Sequence, residues 1–216
     1  MVHGLRVSRK SRRVKSCLWV SIIGVWGTRG VGKTTLVKNL NNDFLKNVSS
    51  SKLSLGIVVW ITVPKPPIDI RNIQGQIATR LNLQVDNEAS VQIIASKIYQ
   101  RLKEEKSFLL ILDDVWKGIN WDEVGVHQPV VPATSKVTIT TSSLEVCRQM
   151  RTNVEMKVTT LIEDESWQLF VKNAGDCANL EHIQTLARVI ARQCGGLPSA
   201  IIVIATSMRG NTRVGL

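Results

Sequence analysis

Zinc and disulfide chemistry are what this sequence is least equipped for. Its four cysteines (Cys17, Cys147, Cys177, Cys194) and three histidines (His3, His127, His182) are scattered singly through 216 residues. No C-x-x-C or paired-histidine spacing occurs, so neither a zinc site nor a disulfide framework is indicated. Reduced, mostly buried thiols in an intracellular chain are the expectation. Aromatic residues are sparse, at 5% with a single tyrosine, and none interleave with the basic residues as a nucleic-acid interface would require. No uncharged apolar stretch reaches membrane-spanning length, and no G-x-S-x-G elbow marks a serine hydrolase. With Val2 following the first methionine, N-myristoylation is not expected. Internal repeats and low-complexity tracts are missing too, which leaves a globular chain long enough for one domain, or one and part of a second.

Acidic residues are outnumbered, 17 against 28 basic, for a net charge of +11. More than half of that excess sits in Arg6, Arg9, Lys10, Arg12, Arg13 and Lys15, before any acidic residue appears. Residues 1–17 therefore read as a basic, disordered, solvated tail, compatible with nuclear entry of an otherwise cytoplasmic protein. A basic segment followed by apolar residues 17–26 imitates a secretory signal. However, the apolar run leads straight into the next motif with no small-residue cleavage site between, so it reads as a buried strand.

That next motif is Gly27-Thr28-Arg29-Gly30-Val31-Gly32-Lys33-Thr34-Thr35, which fits G-x-x-x-x-G-K-T between a strand-like and a helix-like segment. Glycines let a backbone wrap an anion with several N–H groups, and the helix behind adds the positive end of its dipole. Residues 27–35 are accordingly expected to bind phosphates, with Lys33 on the outer phosphates and the Thr34 hydroxyl on Mg²⁺.

Helical spacing of Leu36, Leu40 and Phe44 predicts a helix over 33–46. Gly56–Val63 is β-branched and apolar, a buried strand closed by Pro64, Pro66 and Pro67. Ile70, Ile73, Ile77 and Leu81 mark one helix, and Val91, Ile94, Ile98 and Leu102 the next. Phe108–Leu112 is a continuous apolar run ending in Asp113-Asp114, the Walker B pattern, in which a strand carries an acid to the ligand-binding edge of a parallel sheet. Asp113 is the expected second metal-side residue. Asp114 is the candidate catalytic acid, placed to orient or deprotonate the attacking water. Lys136–Thr141 and Val154–Val158 are further strands, with a short helix from about Leu144. Trp116, Trp121 and Trp167 are expected to pack. From about Leu161 strands give way to helices over 163–173, 180–194 and 197–208, the last apolar almost all round and so expected to be buried.

The fold expected is α/β: a P-loop NTPase with a five-stranded parallel sheet over 18–158, flanked by helices, followed by a small helical subdomain over 159–216. Six stretches occur in order: GVWGTRGVGKTTL, VVWITVPK, FLLILDDVW, SKVTITTSSLEVC, ESWQLF and CGGLPSA. Together they resemble the NB-ARC module of plant disease-resistance proteins of the nucleotide-binding, leucine-rich-repeat type, within the STAND class of P-loop NTPases. Trp116 after the acid pair is similar to the coiled-coil class rather than the TIR class.

The resemblance implies an ADP/ATP-binding molecular switch of innate immunity. ADP with Mg²⁺ holds it closed, ATP permits association with itself or with relatives, and hydrolysis is slow at most. It also implies that Pro198 packs near the adenine, in a helical ARC subdomain that is only partly present. Three positions depart from the pattern. Arg29 stands for a glycine inside the loop, Ser142 for an arginine that senses the γ-phosphate, and Ser199 for a leucine. A coiled coil, a winged-helix subdomain with its Met-His-Asp motif and leucine-rich repeats are not seen in these 216 residues. The alternatives are a truncated, non-switching remnant or adaptor that associates with relatives and, further off, a small-molecule kinase. Nucleic acid is not an expected partner.

Overall fold

The computed structural model describes residues 22–48, 57–86, 88–105, 107–126 and 135–209. The basic tail 1–17, Cys17 and His127 lie outside them. The described chain falls into two compact units, one of residues 22–27 with 33–157, the other of Thr28–Gly32 with 158–209.

The first unit is built on a parallel sheet of β1 (Ile22–Trp26), β2 (Ile57–Thr62), β3 (Phe108–Val115), β4 (Lys136–Thr141) and β5 (Val154–Lys157), in the order β2-β3-β4-β1-β5. β3 is buried at every position but Asp114, as a strand covered on both faces must be. Each crossover runs through helix: α1 (Lys33–Val48), α2 (Ile70–Arg80), α3 (Val91–Glu104) and α5 (Leu144–Gln149). A one-turn α4 (Trp121–Val124) lies between β3 and β4. Side-chain oxygens start α2 and α3: Asp69 accepts from the Asn72 N–H and Ser90 from that of Ile93, satisfying amides the first turn cannot. Ile73, Ile77, Ile94, Ile98 and Leu102 then face the sheet and join one core with Val59, Ile61, Leu110 and Leu112. α5 lies so close to β1 that a β-carbon on Gly24 would come 2.7 Å from the Cys147 sulfur.

The second unit holds α6 (Glu163–Ala174), a 3₁₀ turn (Gly175–Asn179), α7 (Glu181–Gln193) and α8 (Pro198–Met208) around Phe170, Ile183, Ala187 and Ile201. Here one expectation is corrected. Although α8 is apolar almost all round, only Ile201 and Ala205 are fully buried on it, and Val203 is 69% exposed. An apolar helix without periodicity is oriented by whatever packs on it. α8 rests on α6 along one side, and among the described residues nothing covers Ile202 and Val203. The other element ends shift by one to three residues, with β3 running on to Val115, and residues 17–21 of the expected first strand lie outside the described residues. The short α4 and the 3₁₀ turn carry too few residues to show a period.

Among the described residues no helix is long and apolar enough to cross a membrane.

Candidate nucleotide site

The G-x-x-x-x-G-K-T segment leaves β1, whose end is tied to its neighbour by the Gly27 N–H donating to the Thr141 carbonyl at 3.2 Å. The loop turns tightly, with the Val31 N–H on the Thr28 carbonyl. Gly32 adopts φ +95° with open space where a side chain would stand, so backbone conformation, and not crowding, requires glycine there. Arg29 is exposed and is not among the residues of positive φ. The loop therefore accepts an arginine at this position without backbone strain. Val31 is buried, Thr28 and Thr35 are exposed, and α1 begins at Lys33.

Lys33 is nearly buried, and its Nζ donates to the Gly27 carbonyl at 2.8 Å. That bond folds the ammonium back across the start of the motif. The first turn of α1 places Thr34 at the end of β3, where its hydroxyl donates to Asp113 Oδ1 at 2.8 Å. The loop and the Walker B acid, 79 residues apart, thus meet directly. The same Oδ1 accepts a 2.6 Å hydrogen bond from the Thr140 hydroxyl on β4, and Thr140 in turn accepts from the Asp114 N–H at 2.9 Å. Asp114 has φ +62° and sits where the β3–β4 register slips between Leu112 and Val115.

A hydroxyl and a single carboxylate are hard oxygen donors. They fit a Mg²⁺ ion that keeps most of its waters and takes its remaining ligands from phosphate oxygens. No three His, Cys, Asp or Glu side chains group as a metal site among the described residues.

Pro198 is the first residue of α8, following Leu197, as a helix-start proline should be. In the same unit, the Ser199 N–H donates to the Gly30 carbonyl at 3.1 Å, and its hydroxyl lies where a side chain on Gly30 would project. Ser142, just past β4, is exposed. A cleft of about 320 Å³ in the helical unit, lined by Leu161, Trp167, Arg188 and Arg192 among others, includes none of the predicted site residues. The Arg188 guanidinium stacks over Trp167, 4.4 Å from the ring centroid. Cys147 lies away from this chemistry, and burial first, then the Glu155 charge, pushes its thiol up to about 11. At neutral pH it is protonated and unreactive.

Thr140 is the residue that sequence reasoning passed over. The signal was a hydroxyl at the carboxyl end of a strand whose neighbours are apolar. Its meaning depended on β4 lying between the loop strand and the acid strand, which no local pattern reveals.

Comparison with known proteins agrees with this geometry. The NB-ARC domain family matches residues 8–179. The disease resistance protein At4g27190 of Arabidopsis thaliana is 44% identical over 194 residues, covering 90% of this chain and 19% of that protein. The disease resistance protein SUMM2 of the same plant is 41% identical over 192 residues, 87% of this chain and 21% of that one. This chain thus spans about a fifth of the length of the curated relatives it matches. Among solved structures, the Aeropyrum pernix ORC1 protein in complex with DNA superposes with a TM-score of 0.66 at 16% identity, covering 94% of this chain and 59% of that one. A signal transduction ATPase with numerous domains from Pyrococcus horikoshii gives 0.52 at 13%, covering 92% and 29%. At such identities these two share the fold alone. With the family match, the sheet order and the loop–aspartate contact together, the chain belongs to the NB-ARC family, the nucleotide-binding module of plant disease resistance proteins.

Proposed function

We propose that this chain binds ADP or ATP with Mg²⁺ and acts as a defence switch in the cytoplasm, with hydrolysis slow at most. The observation that carries this reading is the 2.8 Å contact between Thr34 and Asp113, which assembles a metal-side pair at the foot of a phosphate loop. Backbone amides of 27–35 hold the phosphates. Lys33 exchanges its bond to the Gly27 carbonyl for phosphate oxygens, so nucleotide binding and loop shape are linked. Thr34 and Asp113 would hold Mg²⁺, which when bound neutralises phosphate charge. Asp114 orients the attacking water and takes up its proton. Pro198, in the same unit as Thr28–Gly32, packs against the base. Residues 18–158 then form the nucleotide-binding domain and 159 onward the ARC subdomain, and ATP binding promotes association with resistance-protein relatives.

A non-switching binder or adaptor is the second reading, favoured by Ser142, an uncharged side chain where the resemblance implies a γ-phosphate-sensing arginine. The test is to purify the chain, denature it and identify released nucleotide by chromatography, with Lys33→Ala alongside. Stoichiometric ADP from the wild type and none from the variant is expected. Empty wild-type protein that takes up no Mg-ATP would move the assignment to the adaptor, and equal loading of the variant would refute the phosphate-loop reading.

A further inference from the structure

One hydroxyl, that of Thr140, bonds both Asp113 and Asp114. Thr140 is fully buried, and its oxygen has a use in each direction: it donates to Asp113 Oδ1 at 2.6 Å and accepts from the Asp114 N–H at 2.9 Å. The Asp114 N–H needs such a partner because the β3–β4 ladder is interrupted at this residue. Leu112 pairs with Ile139 and Val115 with Thr141, so the two residues of β3 between them face a single residue of β4. The extra residue is Asp114, in the left-handed conformation at φ +62°, which for a residue with a side chain persists only where its surroundings impose it. Asp113 has a different need. It is a buried carboxylate whose Oδ1 takes one bond from each flank, from Thr34 on α1 and from Thr140 on β4. Together the two donors fix the plane of the carboxylate.

We infer that Thr140 is the positioning residue for both acids, setting the orientation of the metal-side carboxylate of Asp113 and the backbone turn that presents Asp114. The inference rests on the nucleotide-and-metal reading above and deepens it. Valine has nearly the shape of threonine and fills the same space. Thr140→Val therefore removes both hydrogen bonds and little else. With one donor gone, the Asp113 carboxylate is free to swing about its remaining bond to Thr34. With the acceptor gone, the part-buried amide of Asp114 is left without its partner and the left-handed turn loses its clamp. Phosphate contacts made by the loop backbone and Lys33 do not pass through β4, so affinity for nucleotide without metal is preserved.

The experiment uses the whole chain. ADP affinity is measured by calorimetry in EDTA, Mn²⁺ affinity of the ADP complex by electron paramagnetic resonance, and ATP hydrolysis in single turnover, for wild type, Thr140→Val and Thr140→Ser. The Val variant is expected to keep metal-free ADP affinity within about twofold and to lose about tenfold or more in Mn²⁺ affinity, the size expected for one charge-assisted hydrogen bond. Hydrolysis should fall at least as far, and Ser, which keeps the hydroxyl, should recover most of both. Mn²⁺ affinity unchanged in the Val variant, or lost equally in Ser, overturns the inference. If Thr140→Val does not fold, as judged by circular dichroism, Thr140→Ala carries the same comparison. Wild-type protein that binds no ADP in EDTA or Mn²⁺ refutes the proposed function itself, and this inference falls with it.

Discussion

Replacing Gly196 by alanine should be far more damaging than the same change at its neighbour Gly195, for a reason visible atom by atom. Both glycines have positive φ, +70° and +58°, so each substitution carries the cost of a left-handed alanine, about 1 kcal/mol. At Gly195 nothing lies within 4 Å of the new β-carbon, and the cost stops there. At Gly196 the β-carbon would sit 2.2 Å from the Leu161 carbonyl oxygen and 3.2 Å from its amide nitrogen. Those atoms are backbone and cannot rotate aside. They are also tied to the glycine, since the Leu161 N–H donates to the Gly196 carbonyl at 2.8 Å. Relieving the clash means separating the two segments, which forfeits that hydrogen bond, about 1 kcal/mol, and some packing around Phe170 and Ile201. Gly196→Ala should therefore destabilise the helical unit by about 2–4 kcal/mol, a urea midpoint lower by roughly 1 M or more for ordinary slopes. Hydrogen exchange of peptides from α6, α7 and α8 across a urea series reads this unit separately from the sheet. Equal midpoint shifts for the Gly195 and Gly196 variants would show that the Leu161 contact has no energetic weight and refute the reasoning.

Two other perturbations follow from the same kind of geometry. Gly24→Ala drives a β-carbon to 2.7 Å from Cys147 Sγ and should cost about 1–3 kcal/mol by overpacking. Adding Cys147→Ala removes the obstructing sulfur, so thermal denaturation of the double mutant should show it less impaired than additivity of the two singles requires, and strict additivity would mean that the strain is relieved elsewhere. Ser142→Arg places a guanidinium just past β4, at an exposed position that tolerates it. Competition binding should show ATP gaining on ADP by about fivefold or more, as a charge-assisted contact to the extra phosphate implies; an unchanged ratio would mean that position 142 does not face the terminal phosphate.

Which parts of this molecule could be read from its sequence follows from the range of the forces involved. Phe108–Leu112 announced a buried strand and its terminal acids because burial on both faces needs no partner to be specified. The isoleucines of α2 and α3 recur at helical spacing and did face the core. The loop declared itself through glycine and lysine spacing, a local code for wrapping an anion. What escaped was set by other elements. Thr140 meets both acids because strand order puts β4 beside β3, α8 keeps an exposed apolar side because packing among the described residues covers only the other, and α4 is a single turn fixed by the Asn120 cap and the left-handed Gly125. Arg29 is the reverse case: an apparent violation of the loop pattern that the backbone accommodates with ordinary dihedrals.

The left-handed backbone of Asp114 decides which substitution can be trusted as a probe of its chemistry. Aspartate and asparagine enter that conformation more readily than other residues with side chains. Asp114→Asn therefore changes the charge while leaving the bulge in place. Asp114→Ala or Asp114→Glu would alter the turn as well, and with it the strand edge that carries Asp113. A loss of turnover in those variants would mix lost chemistry with displaced scaffold, and the asparagine variant is the one that separates them.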